Sequence, residues 1–207
     1  MKSQKALKRA DSAPVDDDAP ADGRRMRSER SRRQIVEALF KLVREGDMAL
    51  SAAKVAETAG VSLRTVFRHF EEMDVLYREM SARMEAEIMP IVMQPFDARD
   101  WRGRLDQLVA RRAGIYEKIM PMKVASSVRR FQSDYLMDDY NRFLRLERGG
   151  LQGILPPHIL NDRVLSAALE MVTGFQAWRR MRQDQGLSAA EAEEVMAAVV
   201  NRLVSKR

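Results

Sequence analysis

SAAKVAETAGVSLRTVFRHF, residues 51–70, decides how the rest of this chain is read. Ser51 is a good N-cap, and Ala52 to Ala59 are mostly helix-compatible, so a short helix is expected there. Gly60 supplies the positive φ that stops it, and Ser62 can cap a second helix from Leu63 to Phe70. Two helices around a tight glycine-containing turn are the helix-turn-helix signature. Winding 63–70 at about 100° per residue gathers Val66, Phe70, Leu63 and Phe67 on one arc. Arg64, Arg68, Thr65 and His69 fall on the other. The first arc is expected to pack on the preceding helix through Val55, Ala56 and Ala59. The second presents two arginines, a hydroxyl and an imidazole outward. Arginines at i and i+4 can address guanine edges or flanking phosphates when such a helix lies in a major groove.

The residues AxxAGVSxRTxFRHF, followed by a long helix from near Asp74 and Leu76, resemble the DNA-binding domain of TetR-family regulators. The motif extends over residues 27–76; beyond it the likeness is one of architecture. The resemblance implies an all-α fold, in which an N-terminal three-helix DNA-binding domain precedes a larger helical domain for ligand binding and dimerisation. Carried over, Ser51 caps the second helix, while Thr65, Phe67 and His69 lie against DNA backbone. Leu63, Arg64 and Arg68 lie nearest the bases. Arg27 and Ser62 complete the expected DNA-binding set. Two residues depart from the pattern. Phe67 stands where a tyrosine is usual, removing a hydroxyl contact to phosphate, and Met73 stands where a phosphate-binding lysine is common.

Charge supports the same focus. Residues 24–70 carry eleven Lys and Arg against five Asp and Glu, whereas residues 71–93 are net acidic. A basic reading head bordered by acidic sequence fits a double-stranded DNA partner. The whole chain, 207 residues at net +6, is long enough for a small domain plus a larger one. It has no cysteine, which excludes disulfides and thiolate metal sites. No signal peptide and no long uncharged apolar run is visible, so no membrane partner and a cytoplasmic location are expected.

Outward from the motif, residues 1–26 read as a disordered arm, with Pro14, Pro20 and the acidic run Asp16–Asp18 offering nothing to bury. Arg24, Arg25, Arg27, Arg30, Arg32 and Arg33 then crowd into ten positions, as in arms that lie along phosphates. A first helix is expected over about 28–45, with Ile35, Leu39, Leu42 and Val43 on its core face and Gly46 at its end. The DNA-binding domain is placed at 27–72, and an effector-binding and dimerisation domain at 73–207. Within the latter, helices are predicted over about 73–89, ending or kinking at Pro90, and over 101–120, closed by Pro121. A short helix over 123–131 and another over 133–147 follow, and Gly149, Gly150, Gly153, Pro156 and Pro157 mark a loop. A continuous helix is predicted from about 162 to 184. Gly186 stops it, and Ser188 with Glu191 forms a capping box for the last helix.

The last two helices are apolar over an arc wider than one intramolecular contact needs. A second copy of the chain is the expected extra partner, through Val164, Ala168, Phe175, Val195, Val199 and Leu203. Fourteen methionines are many for this length, and Met120, Met137 and Met171 with Tyr140 are the candidates to line an adaptable effector pocket. No catalytic constellation, cofactor loop or metal motif stands out, and His69 and His158 are the only histidines. The expected function is a homodimeric regulator, a repressor released from a palindromic operator by a small-molecule effector. An effector-less regulator of the same fold and, from another class, a helical enzyme or lipid-binding module are the alternatives.

Overall fold

A computed structural model of the chain describes residues 19–47, 50–70 and 73–205. Ten α-helices follow one another among the described residues, with a 3-10 turn at Arg130–Gln132 and a π turn at Arg180–Asp184. The architecture is all-α, with a three-helix N-terminal unit and a larger helical body. No helix among the described residues is long and apolar enough to cross a membrane.

The N-terminal unit consists of α1 (Ala19–Arg44), α2 (Ala52–Ala59) and α3 (Leu63–His69). Local signals set the ends of α2 and α3 where the sequence places them. Ser51 Oγ accepts the Lys54 N–H at 3.3 Å, and Ser62 Oγ accepts the Thr65 N–H at 3.1 Å. Gly60 takes φ 65° and closes α2, donating its N–H to carbonyls of the last turn. A Cβ added at Gly60 would meet nothing within 4 Å. The need for glycine there is conformational and not spatial. Gly60→Ala should therefore destabilise the fold by roughly 1–2 kcal/mol, the cost of a left-handed L-residue. Thermal unfolding would show this as a lower midpoint, by roughly 2–4 °C per kcal/mol for a chain of this size.

Helix α1 begins earlier than expected. It takes in residues 19–26, read above as part of a disordered arm, whereas residues 1–18 lie outside the described residues. Side chains of its first turns bond along the helix: Arg27 Nε donates to the Gly23 carbonyl at 3.0 Å, and Arg25 pairs with Glu29 at 3.2 Å. Such i,i+4 partners support a helix that buries little.

The body comprises α4 (Met73–Val92), α5 (Trp101–Arg129), α6 (Asp134–Gln152), α7 (Pro157–Leu160), α8 (Arg163–Thr173), α9 (Phe175–Arg179) and α10 (Ala189–Val204). Pro90, expected to end or kink a helix, and Pro121, expected to end one, both lie inside helices. Pro90 lies inside α4, and the ladder resumes beyond it with the Met93 N–H donating to the Met89 carbonyl at 2.9 Å. Pro121 lies inside α5, so the helices expected at 101–120 and 123–131 are one. Burial on both sides of Pro121, by Ile119, Met122 and Ala125, outweighs one missing backbone bond. Gly149 and Gly150, expected in a loop, extend α6, and Gly150 lets the Arg112 guanidinium of α5 approach closely.

The helix predicted over 162–184 is broken at Gly174, whose backbone is extended at φ −82°, ψ 158°. A Cβ there would stand 3.1 Å from the Glu170 carbonyl oxygen. The orphaned backbone groups are met by distant side chains. The Thr173 carbonyl accepts from Arg112 Nη1 at 3.1 Å and from the Tyr116 hydroxyl at 3.0 Å. The Phe175 N–H donates to Glu147 Oε1 at 2.8 Å. After the π turn, Gly186 at φ 70° and the capping box of Ser188 and Glu191 start α10 as expected.

Buried apolar residues form one cluster running from Ile35 in α1 to Val204 in α10. Helix α4 carries this core from the N-terminal unit into the body through Leu76, Tyr77 and Met80, all fully buried. Polar links reinforce the junction. Arg32 and Glu37 of α1 pair with Glu79 and Arg83 of α4. Arg129 of α5 donates to the Leu50 carbonyl at 3.1 Å, and Ser133 Oγ donates to Asp74 Oδ2 at 2.7 Å.

The residues expected at a subunit contact divide into three groups. Val164 and Val195 are exposed, at 80% and 40%. Ala168, Val199 and Leu203 are half-buried. Phe175 is 4% exposed and belongs to the core of the chain, packing edge-on against Tyr116 and Phe143. It is therefore not a surface residue, contrary to the reading from periodicity. The break at Gly174 separates it from the stripe of α8.

Candidate nucleic-acid interface

The turn between α2 and α3 projects a short helix whose two faces differ from the sequence expectation. Val66 and Phe70 are buried against α1 and α2, as predicted. Leu63 and Phe67, assigned to the same packed arc, are 43% and 48% exposed. A seven-residue helix needs only its Val66 side to seal the core. The outward face of α3 thus carries Leu63, Arg64, Phe67 and Arg68 together. Neither arginine has a hydrogen bond or ion pair among the described residues. Both guanidiniums are available to an anionic or base-edge partner.

Around this face stand groups already held in place. Thr65 is half-buried, its hydroxyl 2.9 Å from Ser62 Oγ. Ser51 and Ser62 are exposed at the two caps. Lys54, just inside α2, forms an ion pair with Asp47 that raises its pKa above the usual lysine value. Arg27 is exposed on α1, as are Arg30 and Arg33. Arg32, counted with them in the basic arm, is turned to Glu79 and lies 4.9 Å over the Phe70 ring. It serves the α1–α4 junction.

His69 ends α3 with its Nε2 buried and without a hydrogen-bond partner among the described residues. Burial is the main cause that holds its pKa below the usual imidazole value, helped by the charges of Arg68 and Arg32. The sign of the linkage follows. The unfolded chain takes up the proton first, so the contribution of neutral His69 is fully present above about pH 6.5 and is lost as pH falls below it. Wild type should lose more thermal stability between pH 7.5 and 5.5 than His69→Asn does. Equal losses would show that His69 is not the group concerned.

The body holds a cavity of about 170 Å³ between α4, α5 and α6. Ile88, Val92, Phe96, Ile115, Phe143 and Leu146 contribute apolar wall, and Arg111, Arg112, Tyr116 and Glu147 contribute polar groups. None of the four residues expected to line an effector pocket is in it. Tyr140 borders a separate, far smaller space beside Lys123 and Asp139. Met171 is 74% exposed on α8. Met120 packs against the core and Met137 is half-buried. Composition drew attention to methionine, whereas the cavity arises where branched and aromatic side chains of α4, α5 and α6 fail to close. Burial pushes the Glu147 carboxyl up, against the lowering effect of its hydrogen bonds from the Tyr116 hydroxyl and the Phe175 N–H.

No protein-family model and no curated protein sequence matches the chain. Among solved structures, the chain is similar to a transcriptional regulator from Rhodococcus sp. Rha1, with TM-score 0.65 and 18% identity. The similarity covers 84% of this chain and 96% of that one. At this identity the likeness is one of fold.

Proposed function

We propose that the protein is a homodimeric DNA-binding transcriptional regulator of the TetR type, acting in the cytoplasm. The observation that carries this reading is the outward face of α3, where Arg64 and Arg68 stand unpaired beside exposed Leu63 and Phe67. A helix carrying guanidiniums beside apolar side chains suits a major groove, where arginine reads guanine and apolar groups meet thymine methyls. Ser51 and Thr65 flank it toward the phosphates. Residues 27–72 act as the reading head, and residues 73–207 bind effector and form the dimer. The regulator acts as a repressor, and an effector seated in the cavity moves α4, which lines that cavity and is tied to α1 by two ion pairs. The cavity favours this reading over an effector-less regulator.

The test is selection of bound duplexes from a random pool, followed by affinity measurements across salt concentration. Recovery of a two-fold symmetric sequence, bound with log affinity falling linearly in log salt, is the expected outcome. Enrichment of no sequence would overturn the reading.

A further inference from the structure

The cavity between α4, α5 and α6 carries an asymmetry in its polar groups that bears on what it can hold. Its two cations are engaged by the protein itself, mainly by backbone carbonyls. Arg111 donates to the Val92 carbonyl at 3.2 Å and to the Pro95 carbonyl at 3.1 Å, while lying over the Phe96 ring. Arg112 is buried and donates to the Thr173 carbonyl, to Thr173 Oγ1 at 2.6 Å and to the Glu147 carbonyl. Both guanidiniums hold the fold together, one at the strap of residues 93–100 and one at the helix break. Spending them on a ligand would unfasten those elements.

Glu147 differs. Its Oε1 accepts two donors, the Tyr116 hydroxyl at 2.5 Å and the Phe175 N–H at 2.8 Å. Its Oε2 accepts none among the described residues. Of the two carboxylates that line the cavity, Glu85 is paired with Arg142, so Oε2 of Glu147 is an open acceptor bearing negative charge, set among aliphatic and aromatic walls. Such a group favours a donor and repels an anion. The volume of about 170 Å³ sets the size. An apolar cavity of roughly 150 Å³ accommodates benzene, so one ring with a short arm fills this one.

We propose that the cavity binds a compact aromatic amine, its ring against Ile88, Ile115 and Phe143 and its ammonium donating to Oε2 of Glu147. The inference rests on the effector-responsive reading above and specifies the chemistry of its ligand. A cation placed there also offsets the desolvation that burial imposes on the carboxylate.

The experiment compares three probes of one shape on the full chain without DNA: 2-phenylethylamine, 2-phenylethanol and 3-phenylpropionate. Calorimetry gives affinity and thermal unfolding gives stabilisation. The amine is expected to bind at least tenfold tighter than the acid and to raise the unfolding midpoint, with the alcohol between. Glu147→Gln keeps an oxygen for Phe175 and Tyr116 but removes the charge, and should reduce amine binding at least tenfold without reducing that of the alcohol. Ile88→Phe should weaken all three by filling the space. Tighter or equal binding of the acid, or no amine binding at millimolar concentration, overturns the inference. Both results come from the wild-type protein and do not depend on either variant folding. Operator binding measured in parallel separates the two readings. Amine bound without release of DNA leaves this inference standing and sinks effector control, whereas DNA bound with no affinity for amine does the reverse.

Discussion

Arg68→Ala is expected to lose roughly 1–3 kcal/mol of discrimination between its selected duplex and random sequence, up to about a hundredfold in affinity ratio. The residue is exposed on α3 and has no hydrogen-bond or ion-pair partner among the described residues. Its removal leaves nothing unsatisfied inside the protein. Circular dichroism should therefore be unchanged while specificity falls. Arg64, one turn earlier on the same face, should behave alike at a different base pair of the site. Lys54 gives the contrast, since it is engaged by Asp47 at the edge of the reading head. A Lys54→Ala change would act on affinity for all duplexes and leave the ratio intact. If Arg68→Ala binds selected and random duplexes in the wild-type ratio, Arg68 reads no base.

The second large effect concerns assembly. Val164 and Met171 lie seven residues apart on one stripe of α8, and Val195 stands on α10, which packs against α8. All three are exposed apolar side chains on adjoining helices, and Val199 lies one turn beyond Val195. A charge carried into a subunit contact is costly unless paired, by several kcal/mol. Val195→Asp or Met171→Asp should convert a dimer into a folded monomer at micromolar concentration. That monomer should bind a two-half-site operator far more weakly, because one α3 reaches half of the contacts. Phe175→Asp is not an equivalent probe, since its ring is buried beside Tyr116 and Phe143 and the change would damage the fold. Light scattering supplies the mass. A wild-type protein that is itself monomeric at that concentration would refute the dimer.

What could be read from sequence and what could not divides along a physical line. Ser51, Gly60, Ser62 and the Ser188–Glu191 box act within three or four residues, and each lies in the fold where local chemistry puts it. The features missed depend on partners far along the chain. Pro121 is tolerated because of what Ile119 and Met122 pack against. Gly174 breaks a helix because Arg112, Tyr116 and Glu147, each 25 or more residues away, receive the severed backbone. Periodicity treats Leu63 and Phe67 as core because it weighs only polarity, yet a short helix has too little buried face for four apolar residues. The cavity had no sequence signal at all. Its walls come from α4, α5 and α6, and only the packing of those helices leaves a space there.

The division of labour within α3 has a consequence for how such a protein changes over generations. Val66 and Phe70 carry the packing, Ser62 and Gly60 carry the turn, and none of them projects from the outward face. Leu63, Arg64, Phe67 and Arg68 project, and the fold depends little on them, since exposed substitutions of this kind stay within about half a kcal/mol. After a gene duplication, those four positions can drift without unfolding the copy. On the proposed function, a new operator would then be reachable by single substitutions, each leaving a folded protein on which selection can act.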